Sequence, residues 1–141
     1  MLIFAVESSC DETSLCLMRS NGSILSHIIA SQEIHSKFGG VVPELASRSH
    51  LNNIQQIYKN CLIEAKITEK DIDACCATIG PGLIGSLLVG STFVKSLSMT
   101  LNKPFYPINH LEGHILSPTF NNKVKFPYLC FLLTGGHTQI Y

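Results

Sequence analysis

The chain has 141 residues, of which 45% are hydrophobic and 14% are charged. This composition indicates one domain with a buried core and excludes a disordered chain. Ten basic and ten acidic residues cancel without forming a basic run, so bulk charge gives no support for nucleic-acid binding by this chain alone.

No segment is expected to span a bilayer, and the first residues lack the basic start of a signal peptide. Six cysteines show no CxxC spacing, which argues against a zinc knuckle or a disulfide framework. Unpaired cysteines are typical of a reducing compartment. We therefore expect a cytoplasmic protein that makes no contact with a membrane.

The first third of the chain predicts an antiparallel meander of three strands. Apolar segments at residues 2–6, 15–19 and 24–30 are separated by a polar turn and by Asn21-Gly22, a strong hairpin signal. After a loop, a helical period runs from residue 44 to about residue 66. Its apolar positions predict one buried stripe, made of Leu45, Leu51, Ile54, Tyr58, Leu62 and Ala65.

The rest of the chain alternates short strands and helices. Strands are expected at 73–79, 105–108 and 128–133, and helices at 87–101 and 110–118. The order β-β-β-α-β-α-β-α-β, with a polar first hairpin, predicts an α/β fold of the RNase H-like, actin-like ATPase type. We expect residues 1–118 to form its first lobe and residues 119–141 to begin a second lobe. The last strand would lack a partner, so we expect the chain to be a fragment that stops before the second lobe is complete.

Three turns are candidates for a nucleotide site. In the turn after the first strand, Ser8, Ser9, Asp11 and Thr13 could contact a phosphate or its metal, although an ordinary hairpin tip has the same composition. The segment GPGLIGS at residues 80–86 either brings backbone close to a ligand or packs a helix tightly. At Thr134, a strand leads into two glycines whose N–H groups could face a phosphate, or it forms a plain hairpin.

The segment HLEGH contains His110 and His114, four residues apart on a predicted helix. Residues at this spacing share one helix face, so both imidazoles can reach one divalent ion. Glu112 lies at i+2 and points away, which disfavours the HExxH zinc-protease geometry. Two partly exposed histidines without a metal are an equal alternative. Possible further ligands are His35, His50, His137 or a carboxylate elsewhere.

Five motifs, in this order, resemble the bacterial branch of the tRNA N6-adenosine threonylcarbamoyltransferase family. They are ESSCDET, GGVVPELASRSH, GPGLIGSLLVG, NHLEGHI and TGGHTQ, and together they extend over essentially the whole chain. The resemblance implies a two-lobed actin-like ATPase fold. It also implies transfer of the threonylcarbamoyl group from threonylcarbamoyl-adenylate to N6 of the adenosine beside the tRNA anticodon. Family members are more than twice as long, so we expect this chain to be inactive alone.

The resemblance also implies which residues form the site. A divalent metal, iron or zinc, would be held by His110 and His114 with a distal aspartate. The adenylate would be bound by Leu132, Leu133, Thr134, Gly135 and Gly136, with Thr134 at a position where the family usually has serine. The phosphate-side loop would comprise Ser9, Asp11, Glu12 and Thr13.

The partners that the resemblance implies are tRNA, threonylcarbamoyl-adenylate, an actin-like paralogue and a P-loop ATPase. The paralogue pairs with the transferase through helices of the first lobe and lacks the histidine pair. A non-catalytic scaffold of the same pathway is therefore the alternative to the enzyme. Apolar helices near Ile54 and Leu87 could also form a homodimer.

Overall fold

The computed structural model describes residues 1–120, 124–133 and 138–141. The strands are β1 (Leu2–Glu7), β2 (Glu12–Arg19), β3 (Ile24–Ser31), β4 (Ala74–Gly80), β5 (Phe105–Asn109), β6 (Phe131–Leu133) and β7 (Thr138–Ile140). The helices are α1 (Pro43–Ala65), α2 (Ile84–Leu101) and α3 (His110–Leu116), with short 3-10 helices at Glu33–Phe38, Glu69–Asp71 and Ser117–Thr119. This succession confirms the predicted order of elements.

Five strands form one mixed sheet in the order β3-β2-β1-β4-β5. The meander β1-β2-β3 is antiparallel, whereas β4 is parallel to β1 and β5 is parallel to β4. The carboxyl ends of β1, β4 and β5 therefore meet at one edge of the sheet. In open α/β sheets, ligands bind outside this edge. The polar loop after β1 and the segment HLEGH after β5 both begin there.

Helices α1 and α2 pack against the sheet and against each other. The core between these layers is aromatic at its centre, because Tyr58 of α1 lies between Phe4 of β1 and Phe93 of α2. Its ring centroid is 5.0 Å from the first ring and 5.5 Å from the second, within the range of favourable aromatic pairs. Helix α1 begins with Pro43, whose missing N–H costs nothing at that position.

The apolar stripe predicted for α1 was partly wrong. Leu51 is 66% exposed, whereas the neighbouring His50 is completely buried. The imidazole can lie inside because hydrogen bonds satisfy both of its nitrogens. Leu51 instead faces a groove between α1 and α2.

Several element boundaries also differ from the prediction, and β6 begins at Phe131 rather than at residue 128. Strand β2 begins at Glu12, three residues early, because Thr13 and Ser14 pair with Ala30 and Ile29 of β3. Helix α2 begins at Ile84, within the segment predicted to be a turn. The first residues of β2 are polar, and α2 starts in a glycine-rich segment. A pattern of apolar residues therefore does not reveal where either element begins.

One described helix, α2, is long and apolar enough to cross a membrane by length and composition. The expectation that no segment has this property was wrong. The only charged residue among the 18 of α2 is Lys95. In the structure, α2 packs against β4 and α1, and five of its residues, including Leu87 and Val94, are buried.

Strands β6 and β7 form a separate antiparallel pair, with Phe131 opposite Ile140 and Leu133 opposite Thr138. They are the part of the chain expected to begin a second lobe. The division at residue 118 stays a prediction.

Candidate metal centre at the sheet edge

Asn109 places the histidine pair at the carboxyl edge of the sheet. It is the last residue of β5 and caps α3, since its Oδ1 accepts hydrogen bonds from the backbone N–H groups of Leu111 at 2.8 Å and Glu112 at 3.4 Å. Such a cap satisfies N–H groups that a helix start leaves unpaired. His110 is therefore the first residue of α3, and His114 follows one turn later.

The two imidazoles of the pair face each other through their Nε2 atoms, which are 3.0 Å apart. The rings are nearly perpendicular, at 81°, with centroids separated by 4.4 Å. With imidazole–metal bonds of about 2.1 Å, two ligands of one ion lie about 3.0 to 3.4 Å apart. The pair thus fits a divalent cation as two neighbouring ligands.

Further ligands are not supplied by the candidate histidines that the structure describes. His35 donates from Nε2 to Gln32 Oε1 and accepts from the N–H of Val42 at Nδ1. Both nitrogens of His50 are also engaged elsewhere. Within residues 1–120, 124–133 and 138–141, no group of three His, Cys, Asp or Glu side chains could hold a metal. His35 and His50 were therefore wrong as candidate ligands, and His137 lies outside the described residues.

The phosphate-side loop directly contacts the histidine pair. Ser9 Oγ lies 3.2 Å from His110 Nδ1, and Glu7 Oε1 lies 3.3 Å from the same nitrogen. The same Glu7 oxygen accepts the backbone N–H of Ser9 at 2.8 Å. The first loop and the helix carrying the histidines thus form one connected polar site.

Glycines in the segment GPGLIGSLLVG allow α2 to pack tightly against this loop. A Cβ atom at Gly82 would lie 2.5 Å from Ser9 O, and one at Gly90 would lie 2.2 Å from Ser8 Oγ. Ser8 Oγ donates to Ser86 O at 2.8 Å, and Leu83 N–H donates to Ser9 O at 2.7 Å. Of the two explanations for these glycines, the structure supports close packing.

The four expected loop residues do not share one environment. Ser9 is buried beside His110, and Asp11 is partly exposed in the turn. Glu12 is exposed on β2 and accepts a hydrogen bond from Ser31. Thr13 is buried, and its hydroxyl is 2.7 Å from His50 Nδ1. A phosphate contact by this loop stays a prediction.

Cys10 in this loop is exposed but poorly suited to be a nucleophile. Partial desolvation of the thiol, with Asp11 beside it, raises the pKa of Cys10 to about 11. The thiol therefore stays protonated near neutral pH, and the thiolate is the reactive form.

The expected adenylate segment is only partly described. Leu132 is buried and Leu133 is 66% exposed, both on β6. Thr134, Gly135 and Gly136 lie outside the described residues, so their role stays a prediction.

Sequence reasoning missed Glu7 and gave His50 the wrong role. Glu7 was visible as an acidic residue at the end of a buried strand, where polar groups collect in α/β folds. His50 had no local signal, because its hydrogen-bond partners, Thr13 and Cys10 O, come from the first hairpin.

A family model described as tRNA N6-adenosine threonylcarbamoyltransferase matches residues 23–141. The chain belongs to the tRNA N6-adenosine threonylcarbamoyltransferase family. Among curated members, the protein of Christiangramia forsetii is 51% identical over 142 residues, covering 98% of this chain and 42% of the relative. That of Rickettsia massiliae is 51% identical over 138 residues, covering 97% and 40%. The chain spans about two fifths of the length of these transferases.

Two solved structures share the fold. YeaZ from Pseudomonas aeruginosa superposes with a TM-score of 0.65 at 14% identity, covering all of this chain and 66% of YeaZ. A second structure, of an uncharacterized protein with similarity to peptidase YEAZ from the same organism, gives a TM-score of 0.63 at 16% identity, covering 99% of this chain and 63% of that protein. The predicted actin-like α/β fold of this threonylcarbamoyltransferase family member is confirmed.

Proposed function

We propose that the chain supplies the histidine-pair part of an enzyme that transfers threonylcarbamoyl from threonylcarbamoyl-adenylate to N6 of the adenosine beside the tRNA anticodon. The observation that carries this proposal is the pair of Nε2 atoms of His110 and His114, 3.0 Å apart at the carboxyl edge of the sheet. The pair lies in a chain about half identical to proteins bearing this name.

The proposed reaction is a direct acyl transfer. The N6 amine of adenine attacks the carbamoyl carbon, and a C–N bond forms. The bond from that carbon to the phosphate oxygen breaks, AMP leaves with the electron pair, and the amine releases a proton. The raised pKa of Cys10 favours direct attack by the amine over a thiocarbamate intermediate on this thiol.

We propose that His110 and His114 hold a divalent iron or zinc ion in the complete site. When bound, such an ion supplies Lewis-acid stabilisation of negative charge on substrate oxygens. The chain's own contribution is orientation. Asn109 fixes the start of α3, while Glu7 and Ser9 contact the His110 ring from the other side.

A chimeric transferase tests this proposal. The corresponding first two fifths of the Christiangramia forsetii protein would be replaced by residues 1–141. Transfer would be measured with preformed threonylcarbamoyl-adenylate and unmodified tRNA. We expect the chimera to modify tRNA and the 141-residue chain alone to be inactive. His110→Ala and His114→Ala should each lower kcat/KM at least a hundredfold, since each removes half of the proposed metal pair.

The matched control for these substitutions is His27→Ala. His27 is on β3, where Nε2 hydrogen-bonds to Ser14 Oγ at 3.0 Å, and it makes no contact with the pair. Activity of the chimera should survive this change. Full activity of the chimera after both His110 and His114 are replaced by alanine would contradict the proposed role.

A groove between α1 and α2 supports a second proposal, association with an actin-like paralogue. The groove has a volume of about 600 Å³ and is lined partly by exposed apolar side chains, including Leu51 and Leu88. Exposed apolar surface of this kind marks interaction sites. We propose that helices of a YeaZ-type protein cover it, and a homodimer of this chain through the groove would contradict that occupant. If the chain is not catalytic in any assembly, this groove would make it a scaffold.

We also propose a cytoplasmic location. All six cysteines are free in the structure, which is typical of a reducing compartment.

A further inference from the structure

We infer that Glu7 is a positioning residue that sets the tautomer of His110 and prepares its Nε2 to bind metal. This inference rests on the proposed metal pair. Metal-bound histidines usually donate their second ring N–H to a carboxylate or carbonyl, which fixes the ring and raises its basicity as a ligand. Glu7 occupies this position at His110.

The contacts of Glu7 hold its carboxylate in place. Oε1 accepts the backbone N–H of Ser9 at 2.8 Å and lies 3.3 Å from His110 Nδ1. Glu7 is the last residue of β1, so its backbone is fixed by pairing with Ser14 of β2. Its side chain is 37% exposed and that of His110 is 25% exposed, so the contact is partly shielded from solvent.

The contact with Glu7 favours one tautomer of His110. A carboxylate oxygen is negative and only accepts hydrogen bonds, so a protonated Nδ1 is attracted to Glu7 Oε1 at 3.3 Å. An unprotonated Nδ1 would direct its lone pair at a carboxylate oxygen. Ser9 Oγ, 3.2 Å from the same nitrogen, accepts the hydrogen bond from Nδ1–H in this tautomer. The neutral His110 ring therefore presents a bare Nε2 on its other side.

His114 must then have the opposite tautomer in the metal-free protein. The two Nε2 atoms are within hydrogen-bond distance at 3.0 Å, and only one of them can donate. With His110 accepting, His114 carries its proton on Nε2. His110 is thus prepared for a metal, whereas His114 must move or lose that proton when a metal binds.

Nitrogen-15 NMR of the metal-free wild-type chain, with both imidazoles neutral, tests the tautomers directly. We expect a protonated Nδ1 in His110 and a protonated Nε2 in His114. In Glu7→Ala, His110 should lose its preference for Nδ1–H. A wild-type His110 protonated on Nε2 would overturn the inference, and this measurement does not depend on whether a variant folds.

Zinc titration of the same 141-residue chain tests the consequence for metal binding. Glu7→Ala should weaken Zn²⁺ binding by about ten- to a hundredfold, as losses of such partners do. Glu7→Gln should weaken it less, because its amide oxygen can still accept from His110 without the negative charge. The control is Glu64→Gln on α1, which removes a carboxylate that accepts from Ser26 of β3, away from the pair, and should not change affinity.

His110→Ala in this titration separates the two claims. Unchanged Zn²⁺ affinity in His110→Ala would overturn the metal pair itself. Weaker binding in His110→Ala with unchanged affinity in both Glu7 variants would overturn the role of Glu7 alone. The transfer activity of the chimera is a separate measurement, so failure there leaves these outcomes distinguishable.

Discussion

At the scale of single residues, a buried histidine fastens the first loop to α1. His50 donates from Nε2 to Cys10 O at 3.0 Å, and Thr13 donates to its Nδ1 at 2.7 Å. Because the ring is completely buried, an unpaired nitrogen there would cost the desolvation energy of a polar group.

Thr13→Val removes the hydroxyl and keeps the β-branched shape. We expect the free energy of unfolding to fall by roughly 1 to 3 kcal/mol, because His50 Nδ1 loses its main donor. Chemical denaturation measures this. In the control Thr100→Val, the hydroxyl lost is exposed and bonds only to Ser96 O of its own helix. A loss no larger in Thr13→Val than in Thr100→Val would contradict the proposed fastening.

Gly90→Ala tests the close packing of α2 against the first loop. The new Cβ atom would lie 2.2 Å from the buried Ser8 Oγ, so strain of roughly 1 to 3 kcal/mol should exceed the gain in helix propensity of about 1 kcal/mol. Thermal unfolding should show a lower Tm. Gly40→Ala is the control, since nothing lies within 4 Å of its Cβ position. Equal Tm values for the two variants would show that α2 can shift at no cost.

At the scale of elements, α1 and α2 were predictable because their apolar residues recur with a helical period. The pattern failed where long-range contacts decide burial. Leu51 fits the apolar stripe but faces the open groove, and His50 is buried because Thr13 and Cys10 provide partners from another element. The i, i+4 spacing predicted that His110 and His114 share a face. The contact of Glu7 with His110 depends on the sheet order β1-β4-β5, which no local pattern contains.

Two matched surface variants test whether the groove between α1 and α2 is an interface. Leu88→Lys places a charge in the groove, so binding to a YeaZ-type protein in isothermal titration should weaken at least tenfold. Ile63→Lys makes the same change at a comparably exposed site on α1 outside the groove and should bind normally. Both should keep the wild-type stability to within about 0.5 kcal/mol. Equal binding by both would exclude the groove as the interface.

At the scale of the whole molecule, partly buried thiols make the stability fall at alkaline pH. Burial raises the pKa of Cys16 to about 11 and that of Cys76 to about 11, from an ordinary value of 9.0. The unfolded chain therefore loses these protons at lower pH than the folded chain, so ionisation favours unfolding. The stability is fully present below pH 9 and is lost as pH rises towards 11.

Urea denaturation at a series of pH values measures this effect. The free energy of unfolding should decrease steadily between pH 9 and pH 11, and the decrease should be smaller in the double variant Cys16→Ala, Cys76→Ala. An identical pH slope in wild type and double variant would show that these thiols are not the cause.

His110 and His114 are proposed to bind one metal ion together at the sheet edge. Zinc K-edge X-ray absorption of the zinc-loaded chain, compared with the His114→Ala variant, tests it most directly. We predict two imidazole nitrogens at about 2.0 to 2.1 Å from zinc in the wild-type chain and one in the variant. The same number of imidazole ligands in both proteins would contradict the claim.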